Sequence, residues 1–165
     1  MTAYLYRIDT GYPGALTREP APGDIIQEVK DSTVTWTMSN FGQAMTFNAS
    51  GQITPVTSTT TAPDIIGFLV RSFPGNSGAG TGGAWLLGGS IGSVARRGYI
   101  SVALQGTGTA DKFGSVYIRV SGATDTLLVG GVEATSGTGV IELPGAYFMG
   151  TASPKGIVEI TFNQF

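Results

Sequence analysis

From residue 24 onward the chain alternates apolar and polar positions in short runs, the period of half-buried strands. In Thr33–Met38, Val34, Trp36 and Met38 share one face. Ala44–Phe47 and Gln52–Val56 flank Asn48-Ala49-Ser50-Gly51, which reads as a hairpin turn. Asp64–Arg71 contains an unbroken apolar run, the pattern of a strand buried on both faces. Further strands are expected over Arg97–Leu104, Ser115–Val120 and Ile157–Phe162, with short ones at Leu127–Val129, Val140–Leu143 and Tyr147–Met149. Val116, Ile118 and Val120 fall on one face of their strand, Tyr117 and Arg119 on the other. Strands recur about every ten residues with Gly, Pro, Asp or Ser between them, so the expected class is all-β, a small β-barrel or jelly-roll-like sandwich. The best helical candidate is Asp24–Asp31, with Asp24 as N-cap.

Two stretches escape this rhythm. Residues 1–23 are punctuated by Gly11, Pro13, Gly14, Pro20, Pro22 and Gly23, yet carry Tyr4, Leu5, Tyr6, Ile8, Tyr12 and Leu16. A disordered tail is usually poor in aromatics. We therefore read 1–23 as an extended N-terminal arm lying against something, either its own domain or a partner, and 24–165 as a single β-rich domain. The second stretch, Pro74–Gly83, holds too much glycine for regular structure. Trp85, Leu86 and Leu87 follow it, apolar residues that are either folded under the domain or offered to a partner.

Composition changes the picture by subtraction. The 165 residues include no histidine and no cysteine. That removes a histidine general base, a thiolate nucleophile, a disulfide framework and zinc sites of the usual nitrogen and sulfur ligands. Charged residues are 12% of the chain and very uneven: residues 32–95 carry only Asp64 and Arg71. A long neutral segment needs neutral hydrogen-bonding groups or a partner that covers it. The net charge of −2 and a single basic doublet, Arg96-Arg97, argue against nucleic acid. No apolar run approaches the ~20 residues of a membrane helix, and the first residues lack the order of a signal peptide.

The tempting motifs fail on their chemistry. Gly78–Gly83 fits the dinucleotide GxGxxG pattern, but glycines rather than helix formers follow it, and no acidic residue stands about 20 positions on. Gly75-Asn76-Ser77-Gly78 is similar to the segment around a protease serine, without a histidine to activate it. Asp24, Glu28 and Asp31 would approach one another on a helix and could include a carboxylate pair for glycoside hydrolysis, though a solvated acidic face explains them better. No calcium loop is present. Asn48-Ala49-Ser50 is a glycosylation sequon in form only. Trp36, Trp85 and six tyrosines could supply a sugar-stacking platform. We expect no catalytic, cofactor or metal site.

One ordered set of segments carries a resemblance: Phe41–Met45 ahead of Gly51–Pro55, then Ile65–Pro74, Gly92–Val102 and Gly114–Val120. Together they resemble the structural cement (capsid decoration) proteins of tailed bacteriophages. The resemblance implies a non-enzymatic protein on the outer surface of the phage head. It would bind across joints between major capsid protein subunits and resist the pressure of packaged DNA. Such proteins act as homotrimers at local three-fold positions or as dimers at two-fold positions. The partner surface is then expected at Tyr4, Tyr6, Arg7, Tyr12 and Arg18 of the arm and at Trp85, Leu86 and Leu87 of the loop, with residues 1–20 removable without loss of the fold. A carbohydrate- or receptor-binding module of a tail fibre or adhesin is the alternative.

Overall fold

The computed structural model describes residues 11–71 and 87–164. Among these described residues ten strands form two units. The first is a five-stranded sheet of β1 (Ile25–Val29), β2 (Ala44–Phe47), β3 (Ile53–Pro55), β4 (Gly67–Leu69) and β5 (Ile91–Ala95), in the order β1-β5-β4-β2-β3. The second is a closed barrel of β6 (Arg97–Gln105), β7 (Ser115–Arg119), β8 (Val132–Glu133), β9 (Val140–Phe148) and β10 (Ile157–Asn163), in the order β10-β6-β8-β7-β9. The all-β expectation holds, with sheet packed on barrel.

Alternation along the sheet strands sends neighbouring residues into two different cores. Ala44, Phe68 and Ala95 join the large core that the barrel fills with Ile100, Val116, Ile118 and Ile160. Their neighbours Met45, Leu69 and Val94 join a second core closed by Trp36, Phe41 and Ile53. The Phe68 and Phe162 rings meet edge to face at 4.8 Å and tie sheet to barrel. The sheet centre is thus covered on both sides, as the apolar run of Asp64–Arg71 predicts, although the strand itself spans only Gly67–Leu69. Two-sided burial gives the uncharged runs at 41–45 and 65–70 an internal reason for lacking charge.

Asp24–Asp31 is not a helix. Ile25, Ile26 and Val29 are β-branched, and β1 pairs antiparallel with β5 from Ile25↔Ala95 to Val29↔Ile91. Tertiary pairing outweighs the N-cap signal, and Asp24 instead accepts the Ala21 N–H at 2.8 Å. Thr33–Met38 is not a strand either. The Asp31 carboxylate accepts both the N–H and the hydroxyl of Thr33, which turns the chain out of an extended ladder. Trp36 is buried as expected, its indole N–H donating to the Asp31 carbonyl at 2.9 Å, whereas Met38 opens a single 3-10 turn and is exposed. Leu127–Val129 forms a turn, and the strand follows it at Val132–Glu133. The two short strands expected at 140–143 and 147–149 are one strand, β9, whose pairing with β7 shifts register near Tyr147.

Residues 11–17 lie on the barrel. The N–H of Gly14 donates to Ser101, that of Ser101 to Ala15 and that of Thr17 to Tyr99, and Leu16 forms an antiparallel bridge with Ile100. Strand β8 is too short to cover this stretch of β6, since it meets only Leu104 and Gln105. The arm segment takes up the open edge instead.

Candidate partner interface

Chemistry of the catalytic kind finds no support in the placement of the acids. On β1, Glu28 is exposed, while Asp24 and Asp31 are buried at opposite ends. Asp24 holds Arg97 through its Nε at 2.8 Å. Asp31 accepts from Thr33 and, at 2.9 Å, from the Asn48 amide. These hydrogen bonds, those from Thr33 foremost, hold its carboxyl below the ordinary carboxylate value. Burial pushes the Lys30 ammonium below its usual range as well, here by disfavouring the charged form, with Nζ 5.2 Å from the centre of the Trp36 ring. Among the described residues no group of three or more acids gathers as a metal site.

The expected partner residues distribute unevenly. Tyr4, Tyr6, Arg7, Trp85 and Leu86 lie outside the described residues. Tyr12 is 62% exposed, and the Arg71 guanidinium stands 5.0 Å from its ring. Arg18 stacks on Tyr99 with its guanidinium 3.6 Å from the ring centre and faces Glu159 at 3.7 Å. The register of β6, β10 and β9 sets Tyr99, Thr161 and Tyr147 in one row across the outside of the barrel. A cleft of about 590 Å³ opens here between residues 18–24 and the barrel, lined by Arg18, Asp24, Arg97, Tyr99 and Tyr147. The structure therefore brings Arg18 to an aromatic, polar groove, with Tyr12 held beside Arg71 instead.

Leu87 sits elsewhere. It is 56% exposed, close in sequence to exposed Ile91, which pairs with exposed Val29 across β1 and β5. The N–H of Gly89 donates to Lys30, which fixes this end of the loop at the sheet. The other end is anchored near the arm, where the Arg71 N–H donates to Gly14 at 2.8 Å. Gly11 is also close by, since a Cβ added there would meet Ala15 and Ser101 at 3.7 Å. Arg71, which precedes the stretch 72–86, and Gly11, which follows 1–10, therefore lie near each other, whereas Leu87 resumes at the sheet.

Sequence reasoning missed three surface features: Tyr147, the Val29–Ile91 pair and Phe113. Strand alternation could have flagged Tyr147, which stands out of phase with buried Ala146 and Phe148. Phe113 precedes a glycine in Asp111-Lys112-Phe113-Gly114, a turn signal, and is 66% exposed.

The described residues form a two-core β scaffold carrying aromatic surface. Over residues 1–163 the sequence matches the structural cement protein family of phages. The chain belongs to that family. The cement protein also shares its fold with a solved chain from "The capsid of Myoviridae Phage XM1", at a TM-score of 0.71 and 21% identity, covering 100% of this chain and 98% of that one. No curated protein sequence matches it. As a member of this family it is a structural protein of the phage virion capsid and associates with capsid proteins.

Proposed function

We propose that this cement protein binds the outer surface of the head across joints between major capsid protein subunits, and that it stabilises the shell against the pressure of packaged DNA. The observation that carries the reading is the family match over nearly the whole chain. The geometry supports it. A double-core body displays residues 11–18 along the barrel; Tyr4, Tyr6 and Arg7 precede that segment in the chain, and Trp85 and Leu86 precede Leu87 at the sheet. With Tyr12, Arg18 and Leu87 these residues form the proposed contact surface, and the protein acts as a homotrimer. Many copies on one shell make modest affinity per contact sufficient. Undecorated heads incubated with the purified protein should gain ordered density over subunit joints by cryo-electron microscopy and survive higher temperature. Heads that remain bare, or decorated heads that melt no later, would refute it.

A further inference from the structure

We propose that Phe113 is an anchor whose ring enters an apolar socket on a capsid protein subunit; this rests on the cement reading above. Phe113 adopts φ +67°, and among the described residues every other positive φ belongs to a glycine. A bulky side chain in the left-handed region is an outlier that the surrounding structure must enforce. Enforcement is visible here. The Gly114 N–H donates to Asp111 at 2.9 Å, closing the turn between β6 and β7. The Phe113 N–H donates to Phe148 at 2.7 Å, and the Phe148 N–H returns to Gly114 at 3.1 Å.

The ring stays mostly in solvent. It is 66% exposed, whereas Phe41, Phe68, Phe148 and Phe162 are 6% exposed or less. The Lys112 ammonium stands over it, 5.1 Å from its centre. Glycine or asparagine would suit the third position of such a turn better. Phe113 is thus unfavourable twice over in the free protein, in backbone and in solvent exposure, and it is held rigidly outward. A pre-ordered aromatic on a fixed turn is the form of a binding hot spot. Because Lys112 rides on the ring, the matching socket is apolar within and lined at its rim by carboxylate or carbonyl oxygens. The family's association with capsid proteins supplies the partner.

The test compares the full-length protein with Phe113→Asn and Phe113→Gly. Both variants suit a positive φ and remove the ring. Thermal melts of the free proteins are paired with binding isotherms on undecorated heads. Both variants should melt within a few degrees of the parent or above it, and bind heads about tenfold or more weakly. Parent-like binding by both variants would overturn the anchor while leaving the cement reading intact. Melting far below the parent would also overturn it, by showing that the ring packs against its own chain. Failure of the parent protein itself to bind heads would overturn the cement reading, and the anchor with it.

Discussion

Arg119 on β7 and Glu133 on β8 form an ion pair at 2.5 Å from Nε to Oε1, with side chains only 10% and 8% exposed. The same guanidinium donates to the Ser121 carbonyl at 3.0 Å, so one side chain joins strand, neighbour and turn. Strand β8 is two residues long and is the link between β6 and β7 in the barrel wall. So short a strand has few ladder bonds to hold it.

That arrangement predicts an asymmetric mutational response. Glu133→Ala leaves a buried guanidinium without its carboxylate and should cost about 3–5 kcal/mol in urea unfolding. The double change Arg119→Met with Glu133→Leu removes both charges and should recover most of that loss. A double variant as unstable as Glu133→Ala would show that the pair contributes beyond charge compensation.

Truncation should separate two parts of the N-terminal segment. Gly14, Ala15 and Thr17 bond the edge of β6, and Leu16 packs on the large core. Removing residues 1–10 should leave the melting temperature nearly unchanged and weaken attachment to heads. Removing residues 1–20 uncovers the β6 edge and an apolar contact, and should lower stability by about 2–4 kcal/mol and promote aggregation. Equal melting temperatures for the two truncations would contradict a structural role for 14–17.

The strand-rich class, the 44–56 hairpin and the doubly buried stretch around Phe68 were legible because each rests on local alternation or turn chemistry. The 24–31 segment was misread because Asp24 offers an N-cap signal, while the pairing of Ile26 with Val94 is made by residues far apart in sequence. Thr33–Met38 alternates correctly, yet the Asp31 side chain takes over the backbone N–H that a ladder would use. At the surface, Arg18 could be named from its place in an aromatic arm. Its partners Tyr99 and Glu159 are set by the register of β6 and β10, which no local pattern encodes. Phe113 escaped notice because a turn signal says nothing about which side chain must bear the positive φ.

Acid should act on the protein partly through Asp31. Its folded-state carboxyl titrates below the ordinary 3.8, chiefly because Thr33 donates to the charged form from hydroxyl and backbone. A depressed folded value means that the contribution is fully present above pH 3.8 and is lost as pH falls through the folded value. Asp64, held down in the same way by Thr61, adds to the same limb. Asp31→Asn should therefore lower stability at neutral pH and flatten the decline below about pH 4. Melts from pH 2 to 7 would show this, and parallel acid limbs for parent and variant would exclude Asp31 as a source.

Gly67 is the most restrictive position in the sheet. Its φ of +143° is one that L side chains rarely adopt, and a Cβ there would overlap the Ala95 carbonyl of β5, the strand to which β4 pairs. Backbone offers no flexible end that could swing aside. Gly67→Ala must therefore separate β4 from β5 where Phe68 and Leu69 enter the two cores. Overpacking and backbone strain together should cost about 2–5 kcal/mol, enough to unfold a domain of ordinary stability at moderate temperature. Gly51→Ala is the matched control: its φ of +74° carries backbone strain but nothing lies within 4 Å of the added methyl, so the loss should be about 1 kcal/mol. Equal losses for the two variants would mean that backbone conformation, and not the close approach of β5, dictates glycine at position 67.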